Sequence, residues 1–118
     1  MDIKRLIQSF KFAGEGLVAV FKREQNFRIE IFIAILVCIL MWLCQLSVWE
    51  NLILVIVMGN VLSMEILNTV LEYLLDVHSK RKNKKFKFLK DAMAGAVVLN
   101  VIVAVIVGIV IFGRYFFK

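Results

Sequence analysis

Proline is absent from this chain of 118 residues, cysteine occurs twice and histidine once. No proline interrupts any of the apolar runs. Cys38 and Cys44, six apart in one such run, do not face each other along a helix and read as membrane-buried free thiols, with neither a disulfide nor a metal argument. His78 has no ligand partner nearby and reads as a loop residue. Charge is missing from Ile31 to Trp49 and again from Ala92 to Gly113. Uncharged runs of that length exclude a soluble domain, because each is about long enough to cross a ~30 Å hydrocarbon core at 1.5 Å per residue. A cleavable signal peptide is not expected, since the first apolar run starts about 30 residues in and lacks a small-residue cleavage site. No Walker A sequence, kinase catalytic loop or Asp-Phe-Gly signature occurs, so any nucleotide would have to be held in an unfamiliar way.

What is present is apolar: 62% of residues are hydrophobic and the mean hydropathy is +0.88. The length allows one domain. Its expected architecture is an all-α membrane protein with an N-terminal amphipathic surface helix over about residues 2–26 and three transmembrane helices over about 29–49, 52–76 and 91–114. The middle span is the informative one. Leu52 to Met64 is uncharged but too short alone, so it crosses only if the helix carries Glu65 into or near the bilayer.

The net charge of +6 matters less than its placement. Lys4, Arg5, Lys11, Lys22, Arg23 and Arg28 precede the first span, and Lys80, Arg81, Lys82, Lys84, Lys85, Lys87 and Lys90 fill the second connection. The first connection, Gln45 to Asn51, has no Lys or Arg and carries Glu50. The N-terminus and the basic connection are therefore expected in the cytoplasm. Aromatic Phe86 and Phe88 interleave that connection, but so short a segment between spans fits nucleic acid poorly. Attraction to anionic headgroups is the plainer role, and a polyphosphate site is compatible with it.

In the N-terminal segment Ile3, Leu6, Ile7, Phe10, Ala13, Leu17, Val20 and Phe21 recur at helical spacing, with Lys4, Gln8, Lys11, Glu15 and Lys22 elsewhere, as in a helix lying on a membrane surface. Gly14-Glu15-Gly16 is not followed by Lys-Ser/Thr, which argues against a phosphate loop. The apolar row 10, 13, 17, 20 continues to Glu24, a carboxylate that either meets a cation or marks the helix end.

Glu65, Asn68, Glu72 and Asp76 fall on one side of the middle helix. Ionisable groups on a membrane-length helix read as a site facing protein or water, the plain alternative being a helix end whose acids reach the headgroups. The third span opens with Lys90-Asp91, then small residues at 92, 94, 95 and 96 that permit close helix approach. Asn100 is expected to bond another helix. Arg5, Glu24, Glu65, Glu72, Asp76, Lys90 and Asp91 thus gather at one depth. Converging carboxylates beside Lys and Arg suit a divalent cation with a polyphosphate, and a deeper carboxylate suits proton removal from a lipid hydroxyl.

Glu24-Gln25-Asn26-Phe27-Arg28, Glu65-Ile66-Leu67-Asn68-Thr69 with Glu72 and Asp76, and Lys90-Asp91 with Ala94-Gly95-Ala96-Val97 resemble, in order and spacing, the small prokaryotic diacylglycerol kinase family, which includes undecaprenol kinases. The resemblance runs over nearly the whole chain. It implies a homotrimer of three-span subunits in the bacterial cytoplasmic membrane, with active sites shared between neighbours, using ATP and Mg²⁺ to phosphorylate a membrane lipid alcohol. It further implies Glu65 as general base, Glu24 and Glu72 as ligands of the Mg²⁺ of MgATP, and Lys90, Asp91 and Arg5 at the nucleotide. Asn68 and Asp76 would support the site, and Asn26, Arg28 and Glu30 would line it towards the lipid. Phe12 stands at a nucleotide-binding position where some members have tyrosine, without the hydroxyl contact, and Arg81-Lys82-Asn83 stands where the loop usually carries Glu-Tyr-His or something like it. The short N-terminus, Phe12 and Asn-Phe-Arg lean towards the undecaprenol branch over diacylglycerol. A non-catalytic membrane protein, such as a transporter subunit or pore-forming oligomer, is the competing reading.

Overall fold

The computed structural model describes residues 2–78 and 84–117 and holds four helices there: α1 Ile3–Arg23, α2 Gln25–Cys44, α3 Val48–His78 and α4 Lys84–Phe116. The basic tripeptide Arg81-Lys82-Asn83 lies outside the described residues. α2, α3 and α4 are each long and apolar enough to cross a membrane.

Each boundary has a local cause. Asp2 caps α1, its carboxylate accepting from the backbone N–H groups of Lys4 (3.0 Å) and Arg5 (3.4 Å). Lys22 and Arg23 complement the negative end of the dipole in the last turn. α1 then stops three residues short of the expected 26, because Glu24 adopts an extended conformation (φ −105°, ψ 111°). Asn26 consequently belongs to α2. The carbonyls left open are taken up by Arg28, whose Nη1 donates to Phe21 O (2.8 Å) and Lys22 O (2.9 Å).

α2 ends at Cys44, not at 49. Gln45 takes a left-handed conformation (φ 48°), the N–H of Gln45 reaches Trp42 O and that of Leu46 reaches Met41 O. This is a Schellman closure built without glycine, and Leu46 packs against Met41 as that motif favours. α3 restarts at once through a capping box: the Ser47 hydroxyl accepts from Glu50 N–H and the Glu50 carboxylate from Ser47 N–H, both at 3.2 Å. Val48 and Trp49 are therefore the first residues of α3, and His78 is the last, not a loop residue.

α3 packs most extensively on α4 and next on α2. Little of the chain is buried, and most large aliphatic side chains face outward, as helices that meet lipid would have them. Two buried regions stand apart along α3. At the α2–α3 turn, Leu46, Leu54 and Ile111 form a cluster with Met41, Cys44, Val107, Phe112 and Tyr115 around it. There Tyr115 donates to Glu50 (3.2 Å) and Arg114 lies 3.9 Å from the same carboxylate, joining the end of α4 to the start of α3. Towards the other end lie Phe27, Glu65, Thr69 and Leu75. Asn100 bonds its own helix, donating to Ala96 O at 3.1 Å, and not a neighbouring one. Both cysteines are free thiols, Cys38 on the exposed side of α2.

Leu54 is 3% exposed at the centre of the first cluster. Leu54→Ala should cost roughly 2 kcal/mol or more, read as a fall of several degrees in the unfolding midpoint of the detergent-solubilised protein. Val55→Ala, one position round the helix and exposed, should change it little.

Candidate active site

The site forms where the α1–α2 corner meets the second half of α3. α3 has 31 residues, about 46 Å at 1.5 Å per residue, so it outruns a ~30 Å hydrocarbon layer by several turns. Measured from Trp49, such a layer ends about 20 residues on, near Thr69. Glu65 falls just inside that limit, and Glu72 and Asp76 fall beyond it. Packing within the protein changes in the same order: Glu65 is 3% exposed, Glu72 half-buried and Asp76 exposed.

Glu65 has acidic neighbours from two other places in the chain. Its carboxylate lies within electrostatic reach of Glu24 at the α1–α2 corner, of Glu72 two turns along α3, and of Glu30 on α2. One oxygen of Glu30, Oε2, is fully buried and has no hydrogen-bond partner. Asn68 donates to Glu72 (3.4 Å) and steadies it from one turn away. Thr69 sits buried beside Glu65 and returns its hydroxyl to the Glu65 carbonyl (3.0 Å). Lys90 of α4 donates to Asp76 at 2.9 Å and also feels the charge of Glu72. A cation thus stands at the outer edge of the acidic group.

The remaining expected residues are placed differently. Asp91 is exposed and pairs with Lys87 one turn back on its own helix. Arg28 is committed to the α1 carbonyls. Asn26 is exposed in the first turn of α2. Arg5 and Phe12 are not brought to the acids within one chain: Arg23 marks the site end of α1, and Arg5 stands about 27 Å and Phe12 about 17 Å from it along the helix axis. One contact at the site was not foreseen. Arg23 Nη1 donates to the Tyr73 hydroxyl at 2.9 Å, with the guanidinium carbon 5.4 Å from the ring centroid. No spacing rule links residues 50 apart; the only hint was that each adjoins a candidate carboxylate.

Membrane-length helices that bring four carboxylates and a lysine together near one end suit an enzyme acting on a group at the bilayer boundary. Comparison with known proteins gives the class. Residues 11–112 match the family described as prokaryotic diacylglycerol kinase. The chain is 33% identical over 111 residues to an undecaprenol kinase of Bacillus subtilis, covering 94% of this chain and 90% of that protein. It is 36% identical over 104 residues to a diacylglycerol kinase of Synechocystis sp., covering 87% of this chain but only 59% of that longer protein. The chain belongs to the prokaryotic diacylglycerol kinase family, and by that membership it is a lipid kinase, which removes the non-catalytic reading. Arg5 lies ahead of the residues matched by the family.

The corner that presents Glu24 depends on Arg28. Arg28→Gln should loosen the end of α1 and raise the initial rate of tryptic cleavage after Lys22 and Arg23 by about three- to tenfold, as the loss of two hydrogen bonds implies. An unchanged rate would show that the corner is held by other means.

Proposed function

We propose that the chain transfers the γ-phosphoryl group of ATP, with Mg²⁺, to the hydroxyl of a membrane-dissolved lipid alcohol at the cytoplasmic face of a bacterial membrane. The observation that carries this reading is the convergence of Glu24 and Glu72 on the buried Glu65. Glu65 is the deepest of the three and acts as general base on a hydroxyl presented from the bilayer. Glu30, with its buried unpartnered oxygen, lines the lipid side and accepts a hydrogen bond from the headgroup.

Glu24 and Glu72 are the residues that would hold the metal. Among the described residues no group of three or more His, Cys, Asp or Glu is placed to hold an ion. Two carboxylates nonetheless suit Mg²⁺, which commonly takes one or two protein oxygens and fills its shell with phosphate and water. When bound, the ion neutralises charge on the phosphates of the donor. Lys90, held beside Glu72 by Asp76, contributes positive charge to the transferred group, and Asn68 fixes the rotamer of Glu72. Asp91 serves the nucleotide side, while Asn26 and Arg28 line the site towards the lipid, Arg28 also holding the corner. Arg5 and Phe12 act at the site of a neighbouring copy in a homotrimer, because α1 carries them away from their own.

Undecaprenol is the favoured acceptor over diacylglycerol: the similarity to an undecaprenol kinase spans 90% of that protein, while the diacylglycerol kinase is matched over 59% of its length. Purified protein offered each lipid with MgATP should phosphorylate undecaprenol with the higher kcat/KM, and a clear preference for diacylglycerol would reverse the choice.

Glu65→Gln should lower turnover by about 100-fold or more, the usual contribution of a general base, with helical content and oligomeric size unchanged. Retained turnover would remove Glu65 from that role. Glu24→Gln and Glu72→Gln should each raise the Mg²⁺ concentration for half-maximal activity by about tenfold or more, as losing one of two carboxylate ligands implies; an unmoved Mg²⁺ curve in both would remove the metal assignment.

A further inference from the structure

Glu24 is the one residue between α1 and α2 that is not helical, so the direction of its side chain depends on how α1 is held. Arg28 holds the last turn of α1 to α2. That contact leaves α1 free to swing relative to α3, the helix that carries Glu72. The hydrogen bond from Arg23 to Tyr73 closes this remaining freedom. Its two ends are the immediate neighbours of the two carboxylates: Arg23 precedes Glu24, and Tyr73 follows Glu72. Each carboxylate-bearing Cα is therefore about 3.8 Å from an anchored Cα. Both side chains are exposed, and both are long enough to bridge the helices without burying charge.

We infer that Arg23 and Tyr73 are a positioning pair that sets the distance between Glu24 and Glu72, and so the readiness of the site for a divalent cation. This rests on the reading of those two glutamates as metal-holding residues. The chemistry of the pair suits the task. Phenol hydroxyl and ring together engage the guanidinium through a hydrogen bond and a cation–π contact, so Arg23 Nη1 is directed at a neutral group and not at either adjoining carboxylate. The tie thus aligns two acids without neutralising them.

The experiment compares full-length wild-type enzyme, Tyr73→Phe, Arg23→Gln, Arg23→Lys and the Arg23→Gln/Tyr73→Phe double variant in mixed micelles. Activity is titrated with Mg²⁺ at saturating ATP and lipid, and lipid KM is measured at saturating Mg²⁺. Tyr73→Phe and Arg23→Gln should each raise the half-maximal Mg²⁺ concentration by about two- to tenfold, the effect of one lost hydrogen bond. The double variant should be no worse than the poorer single one, Arg23→Lys should recover part of the loss, and lipid KM should stay within about twofold. Glu24→Gln run alongside separates the two claims. If Glu24→Gln shifts the Mg²⁺ curve while Tyr73→Phe and Arg23→Gln superimpose on wild type, the positioning role is overturned and the metal reading stands. If lipid KM rises and the Mg²⁺ requirement does not, the pair is a general scaffold and the inference is likewise overturned. If Glu24→Gln leaves the curve unmoved, the metal reading fails and takes the inference with it.

Discussion

A carboxylate buried on a membrane-length helix is the constraint to which the rest of this molecule answers. Glu65 is nearly sealed from solvent, and an isolated charge in such a place is costly. Among the described residues no basic group relieves that cost. The surroundings add to it, bringing Glu24, Glu30 and Glu72 within reach of the same group. Like charges gathered at the edge of an apolar layer are stable only when a proton or a cation is shared among them. On the proposed reading, a divalent cation at Glu24 and Glu72 and the proton that Glu65 takes from the lipid hydroxyl meet that demand. Phosphoryl transfer to a lipid hydroxyl calls for the same pair: a cation at the phosphates and a base that accepts the hydroxyl proton. The electrostatic problem of the fold and the chemical needs of the reaction have the same solution.

The two ends of the bundle divide the work. At the α2–α3 turn, a Schellman closure, a capping box and the Glu50–Tyr115 bond satisfy the helix ends locally, over a cluster built on Leu46, Leu54 and Ile111. Those contacts fix how α3 meets α4. At the far end the side-chain hydrogen bonds between helices are exposed and polar, Arg23 to Tyr73 and Lys90 to Asp76, beside Asn68 to Glu72 within α3. Exposed hydrogen bonds of this kind are each worth little and exchange readily with water or ligand. The packed end holds α3 in place, and on the proposed reading the weak polar ties at the other end need only align the acids for an ion.

Much of this was legible in the chain itself, for identifiable reasons. The apolar runs announce their helices because hydrocarbon thickness demands that length. The acidic row on α3 is visible because a helix repeats every 3.6 residues and polar positions on it are rare. What stayed hidden depends on partners distant in sequence or on the backbone. The α2–α3 turn falls earlier than the apolar run suggests because it lies inside continuous apolar sequence and turns at Gln45 without a glycine, although Ser47 and Glu50 do spell a capping box. Asn100 suggested a partner helix, yet a helical asparagine can reach the carbonyl one turn back. The tie from Arg28 to the end of α1 depends on carbonyls six and seven residues back across the corner, which no periodicity marks.

The reach of α1 bears on assembly. It is a helix of 21 residues with no proline, and both glycines within it, Gly14 and Gly16, are helical, so it acts as one rod. The rod is fastened at its Arg23 end, by Tyr73 and Arg28, and none of its residues is buried. A rod held at one end cannot fold back to its own anchor, so Arg5, about 27 Å away along the axis, cannot serve the acids of its own chain. An arginine and an aromatic residue at that distance have a part in nucleotide binding only if another copy's acids lie beneath them. The length of α1 together with the proposed roles of its residues therefore calls for a second copy, which the proposed trimer would supply: each subunit would contribute the corner carboxylate to one site and the far end of the helix to another.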